Sequence, residues 1–231
     1  MKKMHNIQLN ILEKLLFAKS LKHSQIRDES IPNSQLKFHL DELIKDNLIE
    51  KTESGYVLTS IGKEYANTIE TEKSSIIKQA KVTAVMCCTR TISKQTEYLI
   101  YLRLKNPFFG CQGFPTEKVR YGENLYNAAK RGLSEETNLI GEPLLFGIRH
   151  YTVYDENRTL LEDKIMYLFK FINPEGELIG NAEGDFSWIK ESDIENFVRN
   201  PLEEFQEIYT LFKNYSGQLT LEEISQTTNK F

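Results

Sequence analysis

One stretch limits the fold more than any other. GENLYNAAKRGLSEETNL, residues 122–139, predicts a single helix from Asn124 to about Thr137, with Asn138 as a tolerable left-handed stop. Before it, KVTAVMCCT and EYLIYLRLK are runs of β-branched and aromatic residues separated by a polar loop holding Ser93 and Lys94. After it, strands are expected at 144–154, 164–171 and 186–189, followed by a helix around Leu202 to Lys213. Strands outnumber helices and do not alternate with them in βαβ order. That pattern predicts a mixed sheet with helices packed on its faces.

A chain of 231 residues is long for one ordinary domain and comfortable for two. The net charge of -4 is unevenly spread: residues 1–80 carry 12 Lys+Arg against 11 Asp+Glu, whereas the remainder carries 17 against 22. Any polyanion would therefore meet the front of the chain. Cys87, Cys88 and Cys111 are an odd number without a CxxC pair. They point to a reducing cytosol, argue against structural zinc, and are expected to be small buried hydrophobes. The N-terminal segment breaks its apolar residues with Asn, Gln, Glu and Lys, so no signal sequence forms, and no later stretch approaches a membrane span. A cytoplasmic protein without a membrane partner is the expectation.

In the front region Ile7, Ile11, Leu12, Leu15 and Leu16 repeat at helical spacing, and a second short helix is expected over His23 to Glu29. After the turn signal SIPN, Leu36, Leu40, Leu43 and Ile44 mark the apolar face of a third helix, Phe38 is read as core, and Asn47 is its stop. LIEKTESGYVLTS then predicts two short strands around a Glu-Ser-Gly turn. SQLKFHLDELIKDNLIEK and GYVLTSIGKEYA resemble bacterial and archaeal winged helix-turn-helix regulators over roughly residues 5–68. The resemblance implies that the third helix enters the major groove while the wing touches phosphate. Asn33, Ser34, Gln35, Lys37 and His39 are then the base-side candidates, and Lys51 the phosphate contact. The next segment, ANTIETEKSSIIKQAK, is free of Pro and Gly. It is expected to be a helical connector over 69–80 whose Ile69, Ile76 and Ile77 supply a homodimer contact.

The quoted helix resembles the box of the Nudix family, in which Gly is followed at fixed spacing by Glu and then by Arg-Glu-aliphatic-any-Glu-Glu. On this chain the spacing runs from Glu117 through Glu123, Arg131, Leu133, Glu135 and Glu136 to Leu139. GFPTEKVRYGE upstream is similar to the family's glycine loop, and Trp188 in FSWIKESDI falls where a tryptophan strand is common. The resemblance implies a Nudix-type α/β/α sandwich over residues 81–231. With the winged helix of residues 1–68, the chain is read as a two-domain α+β protein. It further implies Glu123, Arg131 and Glu135 as catalytic residues, and Glu135 with Glu136 as ligands of Mg²⁺ or Mn²⁺. Carboxylates at i, i+3 and i+4 share a helical face and can hold such an ion against a diphosphate.

Several positions depart from the pattern. Gly132 stands where the i carboxylate belongs, Thr116 and Glu117 replace paired glycines, Arg120 replaces an acid, and Asn138 replaces a glycine. Glycine is unfavourable inside a helix, so Gly132 reflects either drift in a former hydrolase, the simpler account, or the close approach of another group. Binding need not be lost with the carboxylate: Arg103, Lys118 and Arg120, with Lys105, Phe108 and Phe109, are candidates for holding a nucleotide-derived ligand. Glu183 and Asp185 are read as a charged loop tip. The expected function is a ligand-responsive, DNA-binding, dimeric transcription regulator that senses a nucleoside-diphosphate-linked metabolite; the alternative is an active metal-dependent pyrophosphohydrolase with an accessory winged helix.

Overall fold

A computed structural model describes residues 4–70, 75–76 and 78–231, which divide into two units, Met1–Lys78 and Gln79–Phe231. The first unit runs α1 (Asn6–Leu16), α2 (His23–Ile26), α3 (Asn33–Lys45), β1 (Ile49–Thr52), β2 (Gly55–Leu58), α4 (Ser60–Ala66), β3 (Ile69–Glu70) and β4 (Ser75–Ile76). Its core gathers Leu12 and Leu15 of α1, Ile26 of α2, and Leu36, Leu40 and Leu43 of α3 under the antiparallel β1–β2 hairpin. Asn47 has a φ of 56°, the left-handed stop expected of it.

Three expectations fail here. The helical connector is not formed at its described residues: α4 ends at Ala66, with Asn67 as its cap, and Ile69 and Glu70 pair antiparallel with Ile76 and Ser75. The β-branched residues flanking these positions favour extended backbone over helix. Ile69 is buried in the unit's own core rather than offered to a second copy, and Ile77 lies outside the described residues. In α3 the buried stripe is Leu36, His39, Leu40 and Leu43, whereas Phe38 and Ile44 are exposed. His39 is only 6% exposed and stacks on His5 at 4.5 Å, so it is no base-side residue. The stripe is rotated from the expected face because positions 36, 39, 40 and 43 follow the i, i+3, i+4, i+7 pattern and the His5 ring covers His39.

The second unit contains β5 (Lys81–Ile92), β6 (Gln95–Arg103), β7 (Gln112–Gly113), β8 (Thr116–Lys118), α5 (Leu125–Thr137), β9 (Leu144–Tyr154), β10 (Leu160–Ile172), β11 (Gly184–Lys190), α6 (Ile194–Phe197), α7 (Phe205–Lys213) and β12 (Thr220–Thr227). Its sheet has the order β11-β6-β5-β10-β9-β12, with β7 on β6 and β8 on β5. β5 and β10 are parallel, as are β9 and β12, and the other pairs are antiparallel. The sheet is therefore mixed.

β5 shows how the layers are built. Ala84, Met86 and Cys88 point to one face, where they meet Ala129 and Leu133 of α5. Val85 and Cys87 point to the other, with Phe205, Ile208 and Phe212 of α7. The period-two alternation of one strand thus feeds two cores. All three cysteines are buried, and burial pushes the Cys87, Cys88 and Cys111 thiols up. The strand β12 has no counterpart in the sequence expectations.

Candidate functional site

Asn124 starts α5 by accepting a hydrogen bond from the Tyr126 amide through its side chain, and Asn138 ends it with a φ of 60°. Between them the helix buries Ala128, Ala129 and Leu133, turns Arg131 and Glu135 toward the strand β8 and the loop after it, and turns Glu136 to Asn181.

Arg131 is the hub. Its Nε and Nη2 donate to the two oxygens of Glu123 at 2.7 and 2.9 Å, its Nη1 donates to Glu135 at 2.8 Å, and its Nη2 also donates to the Lys118 carbonyl at 2.9 Å. Glu117 of β8 lies 3.4 Å from the same guanidinium. The two-pronged bond from Arg131, helped by the Arg120 amide, holds the Glu123 carboxyl down to about 2. The same bond raises Arg131 further above its ordinary range.

Arg120 closes the far side of this cluster: its Nη2 donates to both oxygens of Glu135, at 3.2 and 3.1 Å. Glu136 accepts from the Asn181 amide at 2.9 Å. Gly132 is packed rather than vacant. A Cβ there would fall 2.6 Å from the Cβ of Glu117 and 2.8 Å from the Met86 sulfur. Of the two readings of Gly132, drift and the close approach of another group, the packing favours the second: the glycine admits the Glu117 side chain beside the helix.

A cavity of about 870 Å³ opens over this cluster. Arg103, Lys118 and Arg120 line it, as do Glu117, Glu135 and Glu136, so the structure brings these sequence candidates together. Lys105 and Glu183 also line it, paired with each other. Phe108 is a lining residue buried in the core, whereas Phe109 is exposed and outside the lining. Arg103 has a structural task as well, donating to the Pro107 and Asn106 carbonyls of its own loop.

Sequence reasoning missed a second charged group in the same cavity. Lys81 and Lys164, opposed in register on the parallel strands β5 and β10, both pair with Glu162. Although burial pushes the Glu162 carboxyl up, Lys164 and Lys81 hold it below the usual range. Their union depends on a pairing between strands far apart in the chain, which no local motif announces.

Hard carboxylate oxygens on one helical face suit a divalent cation by their chemistry. The arrangement present does not fit one. Arg120 covers both oxygens of Glu135, Arg131 engages Glu135 and Glu117, and Asn181 engages Glu136. Among the described residues no group of three or more His, Cys, Asp or Glu side chains is placed to hold a metal ion.

A family model described as NUDIX domain matches residues 81–212, more than half of the chain. The chain belongs to the Nudix family. Among solved structures, its fold is similar to a MutT protein of Bacillus halodurans, with a TM-score of 0.51 at 19% identity over 65% of this chain and 93% of that one. It is also similar to the NUDIX domain of Shewanella oneidensis NrtR, complexed with ADP ribose, with a TM-score of 0.46 at 18% identity over 66% and 96% of the two chains. A NUDIX hydrolase of Nitrosomonas europaea gives a TM-score of 0.49 at 15% identity over 77% and 93%. No curated protein matches. At these identities the likeness is one of fold. The Nudix helix of this chain is α5, and among the described residues no helix is long and apolar enough to cross a membrane.

Proposed function

We propose that this Nudix protein is a cytoplasmic, ligand-responsive DNA-binding regulator whose first unit is a winged helix and whose Nudix domain senses a nucleoside-diphosphate-linked metabolite. The observation that carries the reading is the state of Glu135: the helical carboxylate best placed for chemistry is held by two guanidiniums. Its neighbour at the i position is a packed glycine. A cavity large enough for a nucleotide derivative remains beside it, lined by cations of both the β8 loop and the sheet.

In the first unit the exposed side of α3 offers Asn33, Ser34, Gln35 and Lys37, and β1 offers Lys51. A homodimer would place two such helices on successive half-sites, and a ligand preferring one dimer geometry would shift the population toward it. Ile69 is buried in its own unit and does not supply the dimer contact.

A working hydrolase is the second reading. It is favoured by the intact frame in which Arg131 grips Glu123 and by the three carboxylates Glu117, Glu135 and Glu136 that line one cavity. A panel of nucleoside diphosphate derivatives, assayed for phosphate release with Mg²⁺ or Mn²⁺ and for altered duplex binding without them, separates the two. The regulator reading expects a ligand-dependent change in DNA affinity and negligible turnover. Vigorous turnover with no DNA binding sinks it.

A further inference from the structure

The carboxylate face of α5 carries its own cation. Arg120 is exposed on 62% of its side chain, yet its Nη2 sits between the two oxygens of Glu135 at 3.1 and 3.2 Å, across the face where a divalent ion would be held. A second substitution accompanies it. Glycine and glutamate have changed places relative to the family's pattern: Glu117 occupies β8 and Gly132 the helix, and the side chain of the first fills the space that the second leaves. Glu117, Glu123 and Glu135 therefore still surround the Arg131 guanidinium, with carboxylate oxygens at 3.4, 2.7 and 2.8 Å. The acidic site has been rearranged and then neutralised rather than eroded.

We propose that Arg120 takes the place of the divalent cation on the Nudix helix and, with Lys118, forms a metal-free seat for a diphosphate group. Only Nη2 of Arg120 is committed to Glu135, so Nε and Nη1 keep donors for phosphate oxygens, a geometry to which a guanidinium is suited. Lys118 is exposed on the same cavity wall and makes no ion pair among the described residues. Arg120, which answers a carboxylate, and Lys118, which answers none, then face an entering anion from the cavity wall. The Arg120 pair is exposed and therefore weak, so Arg120 can exchange Glu135 for phosphate at little cost.

This rests on the reading of the ligand as diphosphate-bearing, but it is tested without DNA, so loss of the regulator reading and loss of this proposal are separable. Mn²⁺ alone is titrated into the full-length protein and followed by electron paramagnetic resonance and calorimetry. The unmodified protein is expected to bind it weakly. Arg120→Ala should tighten Mn²⁺ binding on the order of tenfold, because a positive charge beside the ion has gone, and Arg120→Ala with Glu135→Gln should lose that gain. Inorganic pyrophosphate, titrated in EDTA, should bind the unmodified protein and bind Arg120→Ala about tenfold more weakly, with Arg120→Lys between. Mn²⁺ binding that is as tight in the unmodified protein as in Arg120→Ala overturns the proposal. So does pyrophosphate binding that is absent in EDTA.

Discussion

Gly132 of α5 and Glu117 of β8 cannot both carry a side chain in the present packing. A Cβ at 132 would stand 2.6 Å from the Glu117 Cβ, 3.0 Å from its Cγ and 2.8 Å from the Met86 sulfur. The nearest atom is the root of the Glu117 side chain, so relief requires β8 itself to move. Alanine at 132 gains about 1 kcal/mol of helix propensity, against about 1 to 3 kcal/mol for overpacking. Gly132→Ala should therefore destabilise the protein, by about 1 kcal/mol in urea unfolding. Glu117→Gly in the same chain should recover much of the loss, giving a coupling of about 0.5 kcal/mol or more in a double-mutant cycle. A neutral Gly132→Ala would show that the close approach does not constrain the helix. For the same reason Gly132→Glu alone is expected to disrupt the site rather than rebuild it.

Glu123 sets the acid limit of this region. Its carboxyl is held down to about 2 by Arg131, against an ordinary value of 4.5. A depressed carboxyl stabilises the fold fully above the unfolded value and loses that contribution as pH falls through the folded one. The Glu123 contribution should thus be complete above about pH 4.5 and decline from there toward pH 2. Glu123→Gln removes the charge while keeping the shape. It should cost about 2 kcal/mol at neutral pH, as expected for charge-assisted bonds, and the difference from the unmodified protein should shrink between pH 4.5 and 2. A difference constant over that window would deny Glu123 the role of Arg131's anchor.

The legible and illegible parts of the molecule divide by the range of the interactions that decide them. The α5 helix, its Asn124 start and its Asn138 stop follow from local propensities, and so do the strands β5, β6, β9, β10 and β11. The box spacing was enough to bring Arg131, Glu123 and Glu135 together. What escaped depends on partners distant in the chain. The strand β12 has weak apolar alternation of its own and is ordered by pairing with β9, where buried Arg149 reaches Glu222 at 3.1 Å and Glu207 at 3.0 Å. That another group approaches Gly132 is an alternative open from sequence, but which group does so is not legible there, because Glu117 lies on a strand that packs against the helix. His39 was misplaced because a buried imidazole and an exposed one look alike in sequence until the ring that covers it, His5, is known.

His39 should report on the acid stability of the first unit. Burial, and then the nearby His5, lower its tendency to take up a proton, and its Nδ1 has no partner among the described residues. Its folded value thus lies below 6.5, the ordinary one. Below that pH the unfolded chain binds a proton that the folded one resists, so stability is retained above pH 6.5 and falls as pH drops below it. His39→Leu removes the titration and fits an apolar stripe. The variant should melt higher relative to the unmodified protein at pH 5 than at pH 8. An identical difference at both values would mean that the ring is protonated as readily inside as outside.

The proposed DNA-binding surface can be tested by separating its two kinds of contact. Lys51 is exposed on β1, and a phosphate contact there adds counterion release without reading sequence. Lys51→Ala should weaken all duplexes alike and reduce the slope of log affinity against log salt by about 1. Gln35 is exposed near the start of α3, where a recognition helix meets base edges. Gln35→Ala should leave the slope unchanged and cost about 1 to 3 kcal/mol on the preferred sequence only, because a bidentate amide contact discriminates among bases. Lys37→Ala, from the adjacent exposed turn, should weaken the preferred duplex while leaving pyrophosphate binding by the Nudix domain untouched. His39→Leu serves as the internal control: its ring faces the core, so duplex affinity should not change. Equal affinities for every variant, or binding no stronger than the salt-sensitive background of any lysine-bearing surface, would remove DNA from the function of this chain.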